Sequence, residues 1–60
     1  MIPQDPVMLL SYINMKLRDE YDNLDSLAEG LDLSKGELQD IVSKLESIGY
    51  IYDKVNNKFS

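Results

Sequence analysis

The chain has no cysteine, no histidine and no tryptophan, and its only arginine is Arg18. Without cysteine there is no disulfide, and without cysteine or histidine there is no thiolate or imidazole metal site. A 60-residue chain buries only about 60% of the surface its unfolded form exposes, and small scaffolds usually add such a staple. Stability must therefore come from helix packing or from association with another chain. The missing histidine and cysteine also remove the usual general base and the usual strong nucleophile. Ser11, Ser26, Ser34, Ser43, Ser47 and Ser60 have no evident activating partner, and Gly30, Gly36 and Gly49 do not fall at the spacing of a phosphate-binding loop. Asp22, Asp25, Glu29 and Asp32 lack the alternating ligands and central glycine of a calcium loop, so they read as a solvated acidic face. The expectation is a non-enzymatic protein with no cofactor and no metal.

Long apolar runs are missing too. The opening "MIPQDPVMLL" has no basic residue ahead of its short apolar stretch, so neither a signal peptide nor a membrane span is expected. No Asn-x-Ser/Thr sequon occurs. These features predict a cytoplasmic protein with no membrane partner. Positive charge is also scarce: Lys and Arg total 6 against 11 Asp and Glu, a net charge of −5. Such a chain is repelled at long range by nucleic acid.

The 43% apolar content is enough for a folded core, and its spacing predicts one small domain over residues 1–60. Asp5-Pro6 opens a first helix over about 6–20: Asp5 caps it, and Pro6 suits the first turn. At 100° per residue Val7, Leu9, Leu10, Ile13, Leu17 and Tyr21 share an arc that should face the core. Asp22 or Asn23 caps a second helix over about 24–31, with Leu24, Leu27, Ala28 and Leu31 on one face. Asp32 then takes a left-handed turn. Ser34 and Glu37 form a capping box, and Leu33 and Leu38 a hydrophobic staple, opening a third helix over about 35–48. Its stripe is Leu38, Ile41, Val42, Leu45 and Ile48, and Gly49 ends it. Residues 50–59 read as a hairpin. A loop from Lys54 to Asn57 would set Tyr52 opposite Phe59 and Asp53 opposite Lys58, an aromatic pair and an opposite-charge pair.

The expected fold is mostly α (α+β): a helix-turn-helix-like bundle of three helices with a C-terminal hairpin, in the order of a minimal winged helix. Ala28, Leu33, Leu38 and Ile41 match the apolar frame of a helix-turn-helix, although Asp32 stands where glycine is usual. The charges of the motif are another matter. From Ser34 to Ser60 four lysines balance four carboxylates, and the net −5 lies in residues 1–33. Tight DNA binders often neutralise about six to ten phosphates with basic side chains. A winged-helix-like nucleic-acid-binding regulator would have to use Lys35, Gln39, Lys44, Lys54 and Lys58, converging on one face or doubled by a dimer.

Met8, Tyr12 and Met15 follow one another at i, i+4 and i+7 on the first helix, on the side away from Leu9, Leu10, Ile13 and Leu17. A helix apolar on two faces has more than one small core needs. The second face is covered either by the Met1–Pro3 arm or the hairpin's Tyr52 and Phe59, or by another protein. A methionine-rich stripe left open is an adaptable contact surface, suited to a protein partner or a homodimer. The leading expectation is a protein-interaction module.

The stretches "MIPQDPVMLLSYINMKLRDEY" and "LDSLAEGLDLSKGELQDIVSKLESIGYIYDKVNNKF" resemble a family of roughly sixty-residue bacterial proteins known as a domain of unknown function, number four-two-five-zero. Asp5-Pro6, Lys16-Leu17-Arg18-Asp19, Leu45 to Tyr50 and Tyr52-Asp53 with Asn57 and Phe59 carry the resemblance. It implies a stand-alone bacterial protein and brings no catalytic residue and no cofactor.

Overall fold

A computed structural model describes residues 2–60. Three helices, α1 (Pro6–Asp19), α2 (Leu24–Gly30) and α3 (Lys35–Ser47), precede two short strands, β1 (Tyr52–Asp53) and β2 (Lys58–Phe59).

Each helix begins and ends through its local sequence. Asp5 accepts from the Met8 N–H (3.1 Å), and Pro6 stands in the first turn, so α1 starts with its free donors met. Of the two candidates for the cap of α2, Asn23 fills the role, taking the Ser26 N–H at 2.8 Å. Ser34 and Glu37 close a reciprocal capping box at 3.1 and 2.9 Å. Both later helices stop on the same device. Asp32 turns left-handed (φ 57°), with Leu33 N–H donating to Ala28 O at 2.8 Å and Asp32 N–H to Glu29 O at 3.2 Å. Gly49 (φ 91°) repeats this after α3, with Tyr50 N–H on Leu45 O and Gly49 N–H on Glu46 O, both 2.9 Å.

One core cluster lies among the elements: Leu9, Ile13 and Leu17 from α1, Leu27 from α2, Ile41 and Leu45 from α3, and Phe59 from β2. α1 runs through its centre, touching α2, α3 and β2. Two expected core residues lie elsewhere. Val7 is 65% exposed and Ile48 38% exposed. Val7 sits at the edge of the arc, one turn before the elements that cover Leu10 and Leu17. Ile48 is already the cap of α3, where the backbone turns away.

The strands pair antiparallel as the sequence predicts, Tyr52 opposite Phe59 and Asp53 opposite Lys58. The aromatic pair forms, with ring centroids 5.5 Å apart and planes tilted by 54°. The Asp53 carboxylate, however, is spent on the loop. It accepts from Val55 N–H (2.9 Å), Asn56 N–H (3.3 Å) and the Asn56 side chain (2.7 Å). Lys58 exerts only a weaker field on it. The ion pairs of the described residues lie elsewhere, Lys16–Glu20 at 2.6 Å and Arg18–Asp19 at 2.8 Å.

Candidate interaction surface

Two asparagines fasten the hairpin to α1, and so set the walls of the surface beside it. Asn14 of α1 behaves like a missing strand. Its amide donates to Phe59 O (3.0 Å), and its carbonyl accepts from Phe59 N–H (2.8 Å). Asn57, left-handed at φ 53°, donates to Leu17 O (3.0 Å) and Tyr21 O (2.9 Å) and accepts from the Tyr52 hydroxyl (2.6 Å). Burial raises the Tyr52 phenol above its ordinary value, with Asp53 and Asp25 adding to the effect. The sequence marked Asn57 only as a loop residue and as part of the family resemblance, and it did not mark Asn14 at all. A polar residue at the third turn of an apolar helix, and a second Asn in a loop, are signals only once the two are known to face each other.

Between α1 and the loop lies an open groove of about 710 Å³, floored by Leu10, Met15 and Leu17 and rimmed by Arg18, Asp22 and Lys58. The exposed face of α1 continues from it. Met8 is 61% exposed and Met15 41% exposed, and Val7 joins them. Tyr12 departs from the predicted stripe. Its ring is half-buried against the core, with the Lys16 ammonium 5.7 Å from its centroid. At 100° steps it borders Leu9, so a large ring there folds inward. The Glu20 carboxylate, accepting from Lys16, holds that ammonium above its ordinary pKa.

The suggested covers go elsewhere. Ile2 and Pro3 line the seam where Leu9, Leu33 and Ile41 meet, while Met1 lies outside the described residues. Phe59 is in the core, and Tyr52 leans on it. Met8 and Met15 stay open.

The five side chains proposed for nucleic acid have different immediate neighbours. Lys44 donates to Gln4 at 2.9 Å beside the N-terminal segment. Lys54 borders Asp22, Asn23, Leu24 and Asp25, whereas Lys58 lines the α1 groove near Arg18. Lys35 stands exposed at the first residue of α3, and Gln39 bonds weakly along the helix to Ser43 at 3.4 Å. Among the described residues no cluster of three acidic side chains is spaced to hold a metal ion, and no helix is long and apolar enough to cross a membrane.

Fold and surface together define a small three-helix domain closed by a C-terminal hairpin. The chain belongs to the family described as a domain of unknown function, DUF4250, which it matches over residues 3–59. No curated protein and no solved structure matches it.

Proposed function

We propose that the protein is a non-enzymatic interaction module whose α1 face meets a second copy of the chain. The observation that carries this reading is local. No charged residue occurs from Pro6 through Met15, in a chain with 17 charged residues, yet Val7, Met8 and Met15 in that stretch lie open to water. Ser11, small and exposed, sits near the middle of that face. With a two-fold axis passing there, antiparallel α1 helices would approach closely and bring Val7 of one copy to Met15 of the other. A standard interface removes about 800 Å² from each partner. That is about a fifth of this chain's 4137 Å², so the face needs the adjoining groove as well. Seven buried apolar residues among the described ones make a thin core, and association would add to it.

The reading rests on contact rather than catalysis. Of the three amides lining the large groove, Asn14 and Asn57 are already committed to backbone groups and Asn56 to the Asp53 carboxylate. The net charge of −5 and the single arginine favour it over a winged-helix-like regulator of nucleic acid. A salt titration of duplex binding separates the two: the interaction module shows no binding even at about 50 mM salt, and a phosphate footprint shows a steep loss between that and physiological salt. Light scattering after size exclusion tests the dimer. Met8→Glu with Met15→Glu should give a folded monomer from a dimeric parent, and a parent that is itself monomeric would refute the reading.

A further inference from the structure

The hairpin has one closed edge and one open edge. Ile51 and Ser60 exchange both backbone bonds, at 3.1 and 3.0 Å. In an antiparallel ladder the next pair, Tyr52 and Phe59, then turns its N–H and C=O groups outward. On the β2 side Asn14 takes both of these groups from Phe59. On the β1 side the Tyr52 N–H and C=O have no partner among the described residues. Exposed edges of this kind are templates for an added strand.

Beside the open edge runs a second groove, about 290 Å³, lined by Asp22, Asn23, Leu24, Asp25, Tyr52 and Lys54. Leu24 and the Tyr52 ring give it an apolar wall. Asp22 and Asp25 face it without an ion-pair partner among the described residues. Ile51, on the other face of the hairpin from Tyr52, is 63% exposed.

We infer that β1 accepts an extended peptide strand from a partner protein, one carrying an apolar residue and a basic residue two positions apart. Backbone bonds to Tyr52 fix the strand. The side chains of alternate residues then point to the groove. The apolar one lies over Leu24 and Tyr52, and the next on that face brings its cation to Asp22 and Asp25. Lys54 at the rim repels a cation placed at its own end, which sets the direction. This site shares only Asp22 with the α1 groove, and strand addition at Tyr52 does not depend on the dimer.

The probe is the peptide acetyl-Thr-Val-Thr-Lys-Thr-amide, titrated into the full chain and followed by amide NMR. The Tyr52 amide should shift and gain protection from exchange. Of two versions N-methylated at alternate residues, one should bind as the parent does and the other at least tenfold more weakly, since only one set of amides faces β1. Asp22→Asn with Asp25→Asn should weaken binding about threefold, with the helices intact by circular dichroism. No shift at Tyr52 at millimolar peptide, or equal binding of both methylated versions, would overturn strand addition. Unchanged affinity in the double variant would overturn the basic specificity.

Discussion

Asn57 makes three side-chain hydrogen bonds, two of them to residues far away in the chain. It joins the hairpin loop to Leu17 in the last turn of α1 and to Tyr21 just past it through two donated bonds, and receives a third from Tyr52. Asn57→Ala removes all three and leaves a β-carbon residue in the left-handed region. Denaturant unfolding should show a loss of about 2–4 kcal/mol. Gly30 gives an unusual sign. Alanine normally adds about 1 kcal/mol over glycine inside a helix. Here its Cβ would run into the Tyr21 ring. Gly30→Ala should therefore destabilise by about 1 kcal/mol, and in a Tyr21→Ala background it should stabilise instead. A loss in both backgrounds would remove Tyr21 as the cause.

The Asp53 carboxyl is held below its ordinary pKa, chiefly by the Asn56 side-chain amide and then by backbone N–H groups of the loop. A depressed folded-state pKa contributes stability above the unfolded value that is lost as pH falls through the folded one. Acid unfolding should therefore steepen below about pH 4. Asp53→Asn, which keeps an acceptor, should flatten that limb. Tyr52 works at the other extreme. Its raised pKa means that stability is whole below its ordinary value near 10 and declines as pH climbs through the folded one.

At the scale of elements, what the sequence announced was whatever depends on neighbours in the chain. Asp5-Pro6, the Ser34–Glu37 box, Asp32 and Gly49 each mark a boundary by chemistry within five residues, and all stand where expected. The four-residue loop and its register were legible for the same reason. What stayed hidden needs contacts about 36–45 residues apart: Asn14 on Phe59, and Asn57 on Leu17 and Tyr21. Helical periodicity also says which side chains share an arc but not how wide the cover is, so Val7 was placed inside and Tyr12 outside, and both lie the other way. Asn14→Ala tests the pairing of α1 with the hairpin. It strands the N–H and C=O of Phe59, a residue only 2% exposed, and should cost about 2–4 kcal/mol. The loss should appear first as faster hydrogen exchange in residues 51–60, with α3 protected longer.

The whole molecule carries its negative charge on residues 1–33 but leaves the outward face of α1 neutral and apolar from Val7 to Met15. Net repulsion between like-charged copies is long-ranged and is screened by salt, whereas apolar contact is not. Association should therefore tighten from low to physiological ionic strength, the reverse of nucleic-acid binding. Sedimentation equilibrium at about 150 mM salt, over chain concentrations on the order of 10 to 500 μM, puts the question most directly. The expected result is a species of twice the 6.9 kDa chain mass that Met8→Glu with Met15→Glu converts to a folded single chain. A parent that stays at 6.9 kDa throughout that range would contradict the account.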